Sequence, residues 1–191
     1  KGRVITDDSY FDYQPTPAKW VWEDIGNYYG AGAFGFSVFD NTSEIHLKTF
    51  TDSTVPEITG FYPEEYNIEY TNLFIPRGTE DDGYVFAAPY NTTGWFSGVI
   101  PSNTNDYVIK ASITDPPLLM AKTINKKLKQ EGIPITGEPS TTRILNTVIN
   151  EPVHLISETS SPPLSKIIEV LNQESINLYA EHLVKELGKT Y

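Results

Sequence analysis

The sequence predicts an α+β fold with antiparallel sheets, and three observations carry that expectation. Residues 1–115 hold short runs in which polar and apolar residues alternate, the period of a half-buried strand. Turn segments rich in Pro, Gly, Asn and Asp separate those runs. From Asp115 onward the apolar period lengthens to that of a helix.

The elements follow in order. Val4-Ile5-Thr6 reads as a short strand ended by the turn pair Asp7-Asp8. Phe34 to Phe39 alternates aromatic and small residues and predicts a strand, joined through a hairpin-like turn at Asp40-Asn41 to the strand Glu44 to Phe50. Further strands are expected at Asn67 to Tyr70, Tyr84 to Ala87, Gly94 to Ile100 and Tyr107 to Ile113. Asp115 is placed to cap a helix with Pro116 and Pro117 in its first turn, where their missing N–H groups do little harm. Leu118, Ala121, Ile124 and Leu128 form its stripe, Gly132 its stop, and Lys122, Lys126, Lys127 and Lys129 its wetted face. Apolar residues alternate through 133–160 (Ile144, Val148, Val153, Leu155), which suggests crossing strands rather than a linker. A helix follows Ser161, again with prolines in its first turn and a stripe of Leu164, Ile167, Ile168 and Leu171. A last helix runs from near Ser175 to about Leu187, with Gly188 as its stop.

Composition narrows the function. A chain of 191 residues with 39% hydrophobic residues can bury a real core, in one large or two small domains. The absence of cysteine excludes a disulfide scaffold, a thiolate metal site and a cysteine nucleophile. His46, His154 and His182 are scattered without ligand spacing, so neither a metal nor any other cofactor is expected. Residues 1–115 carry 17 acidic and 6 basic residues against 8 of each afterwards, so the first part would repel polyanions and nucleic acid is a poor partner. The longest apolar uncharged stretch, Tyr28 to Phe39, is far too short to cross a bilayer. The chain starts at Lys1 without methionine, which suggests a cleaved or trimmed beginning.

Ser175 and Asn177 are the residues with a chemical pattern, S-x-N. Side chains two apart on a regular helix point about 200° away from each other, so they can share one site only in a loop or a first helical turn. The polar break Asn172-Gln173-Glu174 permits that. There Ser175 could pass a proton while the Asn177 amide donates and accepts hydrogen bonds; alternatively Ser175 simply caps the next helix. No S-x-x-K and no K-T-G occurs in the 191 residues. Lys189-Thr190 is followed by Tyr191 rather than glycine, so it does not complete that pattern.

The surroundings add a resemblance. Ser161-Pro162-Pro163-Leu164, a helix, and then Asn172-x-x-Ser175-x-Asn177-Leu178-Tyr179-Ala180-Glu181 resemble the class C penicillin-binding proteins, the D-alanyl-D-alanine carboxypeptidase/endopeptidase family. So do Asp7-Asp8-Ser9-x-Phe11, Trp20-x-Trp22-x-Asp24 leading to Tyr28-Tyr29-Gly30-Ala31, and Ser37-Val38-Phe39-Asp40-Asn41. Gly98-Val99-Ile100-Pro101 and Asp115-Pro116 with the helix ending at Glu131-Gly132-Ile133 complete a likeness spread over nearly the whole chain.

The resemblance implies an internal piece of a serine peptidase of the penicillin-recognising, β-lactamase-like fold. Residues 1–137 would be inserted accessory domains, with about 27–104 nested inside the other, and 138–191 would be part of the peptidase domain. It implies a catalytic pair, Ser175 and Asn177, and a substrate pocket at Asp24 and Tyr29, where an acid and an aromatic five residues on would receive the amine of a stem peptide. The implied partners are peptidoglycan stem peptides and β-lactam inhibitors, and the implied location is the periplasm of a bacterial envelope. The piece alone would be inactive, because the nucleophile lies elsewhere. The other reading left open is a non-catalytic wall-binding or interaction module, with the β-rich part doing the work.

Overall fold

The computed structural model describes residues 2–51, 54–149 and 154–190. In chain order the elements are β1 (Ile5–Thr6), α1 (Trp22–Ile25), β2 (Thr42–Lys48), β3 (Glu57–Tyr62), β4 (Glu69–Pro76), β5 (Asp82–Ala87), β6 (Thr93–Ile100) and β7 (Tyr107–Ser112). Then come α2 (Pro116–Gln130), β8 (Ser140–Thr141), α3 (Thr142–Leu145), α4 (Leu164–Glu174) and α5 (Asn177–Thr190). The α+β class holds.

Two three-stranded sheets share one core. In the order β3-β2-β7 every pairing is antiparallel, while in β4-β6-β5 the pair β4/β6 is parallel. The parallel pair arises because β5 reverses the chain and pairs on the outer side of β6, so β6 returns in the direction of β4. Alternation is visible directly: Ile45 and Leu47 from the first sheet meet Phe74, Val85, Phe96 and Ile100 from the second. Stacked rings bind them, with Phe96 4.3 Å from Tyr70 and 5.0 Å from Phe74. Helix α2 joins through Leu119, which packs with Tyr66, Ile68, Ala87 and Ile113. Its cap is as expected, the Leu118 N–H donating to the Asp115 carboxylate at 3.1 Å.

The chain leaves this region and returns at one place. β1 pairs in parallel with β8, Ile5 opposite Ser140 and Thr6 opposite Thr141, so residues 7–139 form a closed excursion. Behind the pairing lies a buried polar knot. Asp8, 2% exposed, accepts from the Thr142 hydroxyl at 2.7 Å and the Arg143 N–H at 2.9 Å. The Arg143 guanidinium reaches the Asp115 carboxylate, stands with Nε 3.4 Å from Asp8, and covers the Tyr90 ring at 4.1 Å. Burial raises the Asp115 pKa, opposed by the Leu118 N–H and by Arg143.

Several expectations change. Phe34 to Phe39 is not a strand: Ala33 donates to Pro15 instead of a ladder, and a Cβ on Gly35 would stand 2.3 Å from the Asp8 carbonyl oxygen. This segment is wedged against residues 8–15, and it ends in a left-handed turn rather than a hairpin. β3 escapes sequence reading because Gly60 interrupts its alternation, and β4 runs on to Pro76. Among the described residues of 133–160 the one strand is Ser140–Thr141; Ile144 lies in α3, capped by the Thr141 hydroxyl, and Val148 and Leu155 are exposed coil. Val153 lies outside the described residues. Pro162 and Pro163 precede α4 instead of opening it, and α5 continues through Gly188, whose helix penalty of about 1 kcal/mol is too small to stop it.

Two stability predictions follow from this packing. Phe96→Ala should lower the unfolding free energy by about 3–5 kcal/mol, read from urea unfolding, because it empties the ring stack between the sheets. Arg143→Ala strands two buried carboxylates and should cost about 3–5 kcal/mol. A loss below 1 kcal/mol would show that the knot is dispensable.

Candidate active site

Helices α4 and α5 meet at a corner, and the corner is made by the S-x-N residues. Ser175 caps α4 in the left-handed conformation (φ 54°, ψ 47°), its N–H donating to Leu171, and Asn177 is the first residue of α5. The geometric conflict of a continuous helix is thereby removed: both residues line one cleft of about 550 Å³. Leu178, 5% exposed, anchors the start of α5 beneath them. The Asn177 amide donates to the Tyr29 carbonyl at 3.0 Å. No described residue hydrogen-bonds the Ser175 hydroxyl or the Asn177 carbonyl oxygen, so both are open to a ligand.

Of the other two residues singled out by sequence, Tyr29 lines the same cleft and Asp24 does not. Asp24 sits on α1, where its carbonyl accepts from Asn27 at 3.0 Å, and its carboxylate acts on Tyr29 through space. Burial, and then the Asp24 charge, raise the Tyr29 phenol pKa. The rest of the lining was not foreseen. Phe39, Asp40, Glu44, Tyr62 and Lys110 come from three distant segments, and a single aspartate in a turn gives no sequence signal of its own.

The wall that carries Phe39 and Asp40 is unusual. Phe39, Asp40 and Asn41 are all left-handed, with φ of 56°, 49° and 49°, at about 1–3 kcal/mol each for residues other than glycine. Asn41 holds them there. Fully buried, it donates to the Gly32 carbonyl and the Ser37 hydroxyl, both at 2.9 Å, and accepts from the Val38 N–H at 3.1 Å. The same turn grips α5. The Tyr179 hydroxyl donates to Asp40 at 3.1 Å, and Ser37 Oγ lies 2.9 Å from His182 Nε2.

Hydrogen-bond direction fixes the tautomer that this histidine adopts when neutral. The Leu178 carbonyl, 2.9 Å from Nδ1, can only accept, so Nδ1 carries the proton and neutral Nε2 accepts from Ser37. Burial, the largest influence, holds the His182 pKa below its ordinary value of 6.5. On acidification the unfolded chain therefore takes up this proton first. The contribution to stability is intact above pH 6.5 and is lost as pH falls toward the folded-state value. Between pH 8 and pH 5.5 the native chain should lose more unfolding free energy than a His182→Asn variant; equal losses would show that His182 is not held neutral.

Comparison with known proteins sets this chain in a family. The model of the D-Ala-D-Ala carboxypeptidase 3 (S13) family matches residues 1–191. Penicillin binding protein 4 (dacB) from Haemophilus influenzae has a similar fold, with a TM-score of 0.72 at 15% identity over 97% of this chain and 40% of that one. The same protein complexed with a novel beta-lactam gives a TM-score of 0.56 at 15% identity, covering 81% of this chain and 34% of that one. The chain thus spans less than half the length of these structures. The match over its full length makes this chain a member of the D-Ala-D-Ala carboxypeptidase 3 (S13) family.

Proposed function

We propose that the chain is the middle of a serine-type D-Ala-D-Ala carboxypeptidase/endopeptidase that cleaves peptidoglycan stem peptides in the bacterial periplasm. The observation that carries this reading is the α4–α5 corner, which turns two residues that a helix would separate toward one cleft. In the proposed reaction a serine outside these 191 residues attacks the carbonyl between two D-alanines. The Ser175 hydroxyl relays a proton toward the leaving nitrogen, and the Asn177 carboxamide holds the substrate amide. Asn177 suits that task because its NH₂ is already tied to Tyr29, which leaves its oxygen facing the cleft in a fixed orientation.

Asp24 and Tyr29 are proposed to receive the amine-bearing side chain of the stem. Asp24 would act at the rim, through its field on Tyr29 and on a passing ammonium, since it does not line the cleft. We further propose that 1–137 are inserted accessory domains, with about 27–104 nested within, and that 138–191 belong to the peptidase domain; the closed excursion of residues 7–139 supports the boundary near 138. β-Lactams would acylate the same absent serine, in keeping with the beta-lactam complex of the Haemophilus influenzae protein.

Labelling with a fluorescent penicillin tests the reading. The full-length protein should label covalently, and Asn177→Ala should slow acylation by about tenfold, the size expected on losing one hydrogen-bond acceptor worth about 1.4 kcal/mol to the substrate amide. The 191-residue chain alone should not label. A well-folded full-length protein that stays unlabelled would favour a non-catalytic wall-binding role.

A further inference from the structure

The outer face of the sheet β4-β6-β5 carries apolar rings where alternation would ordinarily put polar residues. By register, Trp95 of β6 sits between Thr71 of β4 and Phe86 of β5. In the next row Ser97 sits between Leu73 and Tyr84, and in the third Val99 sits between Ile75 and Asp82. Trp22 reaches the same face from α1, its ring 6.0 Å from Trp95 and 6.5 Å from Phe86. Phe86 and Trp95 stack at 5.2 Å with their planes 8° apart. Trp22 stays 45% exposed and Trp95 38%, and Leu73 and Ile75 are more than half exposed. None of these residues lines the cleft of Ser175 and Asn177. A cluster of wet apolar side chains ringed by polar ones marks a contact surface.

We propose that this face binds a glycan strand, with Trp22 and Trp95 stacking on its pyranose rings. A sugar ring offers a C–H face to an indole while its hydroxyl and amide groups point outward. The Asp82 carboxylate and the hydroxyls of Thr71, Ser97 and Tyr84 stand on the same face to meet them. Charge selects among occupants. No Lys or Arg stands in the three rows, and residues 1–115 carry 17 acidic against 6 basic residues, so an anionic lipid surface or a nucleic acid is repelled. Size selects further. At about 150–250 Å² per bare ring, the wet parts of two indoles offer about 200 Å². Leu73 and Ile75 extend the patch without bringing it to the ~800 Å² that each partner gives to a standard protein interface. The rings also brace one another on a sheet, so a ligand immobilises little that is not already fixed. Taking the sugar to be the N-acetylated glycan of a cell wall rests on the peptidase reading above; the stacking surface does not.

The test titrates the full-length protein with chitohexaose, a β-1,4-linked chain of N-acetylglucosamine without peptide, in a calorimeter. The native protein should bind it with a Kd of about 1 mM or tighter. Trp22→Ala with Trp95→Ala should weaken binding about tenfold or more, as truncation of two anchoring rings does. Trp22→Phe with Trp95→Phe should weaken it by about threefold or less, because a smaller ring still stacks. Penicillin labelling should be unchanged in both pairs. The indole N–H signals of the native protein, assigned through single Trp→Phe substitutions, give a reading that needs no alanine variant to fold. Chitohexaose should shift the signals of Trp22 and Trp95 and leave that of Trp20 in place. Absence of binding, binding that survives the alanine pair, or unmoved Trp22 and Trp95 signals would overturn the inference. Binding of poly-L-lysine in place of chitohexaose, lost in the alanine pair, would overturn it in favour of a basic protein partner. A native protein that binds chitohexaose but takes no penicillin would sink the peptidase reading and leave the glycan surface standing.

Discussion

The knot around Arg143 is the constraint on which the rest of the molecule depends. β1 and β8 are two residues each, far too short to hold a 133-residue excursion by their ladder alone. Asp8, Thr142, Arg143 and Asp115 supply the missing restraint, joining the outgoing strand, the returning strand and the start of α2 in one buried network. A guanidinium suits the position because its planar fork can address two carboxylates and still lay its face on Tyr90. An isolated charge here would be costly, so the network is conditional: complete, it fixes the neck; broken, it leaves buried charge.

From that neck the site is assembled by a second set of contacts, this time between the excursion and α5. Asn41 stabilises three left-handed residues, and the turn so formed meets Tyr179 and His182 one helical turn apart on α5. Asn177, two residues before Tyr179, bonds to Tyr29. Lys185 and Lys189 extend the same seam to Asp12, Gln14 and Tyr10. The β-rich region is therefore a wall of the cleft as well as an appendage, since Tyr28, Tyr29, Phe39, Asp40, Tyr62 and Lys110 all arise from it. Under the proposed function, an accessory region placed in this way would set which substrates fit without supplying the reacting groups.

How much of this was legible depended on how local the signal was. Helix α2 could be read from Asp115 and its prolines, because capping is set within a few residues; of its expected stripe Ala121 is buried and Leu118, Ile124 and Leu128 are half-buried, while Leu119 and Asn125 take inner positions. β2, β5, β6 and β7 could be read from alternation, because each has one face on the shared core. Phe34 to Phe39 misled for the opposite reason: its alternation is real, but packing against residues 8–15 took the place of a ladder. In the site, Ser175 and Asn177 were visible through their pattern, and Tyr29 through its neighbours. Asp40, Tyr62 and Lys110 were not, since only the sheet register and the left-handed turn bring them to the cleft. Asp24 shows the limit of transferring a motif, because it reaches the cleft only through its field.

The central claim is that Ser175 and Asn177 act as one element on a ligand held in the cleft between α5 and the Phe39–Asn41 turn. Crystallography of the full-length protein with a bound penicillin tests it most directly. The account predicts an acyl adduct whose side-chain amide lies at about 3 Å from the Asn177 carboxamide, with the Ser175 hydroxyl facing the ring nitrogen. An adduct seated elsewhere, with both side chains untouched, would contradict it.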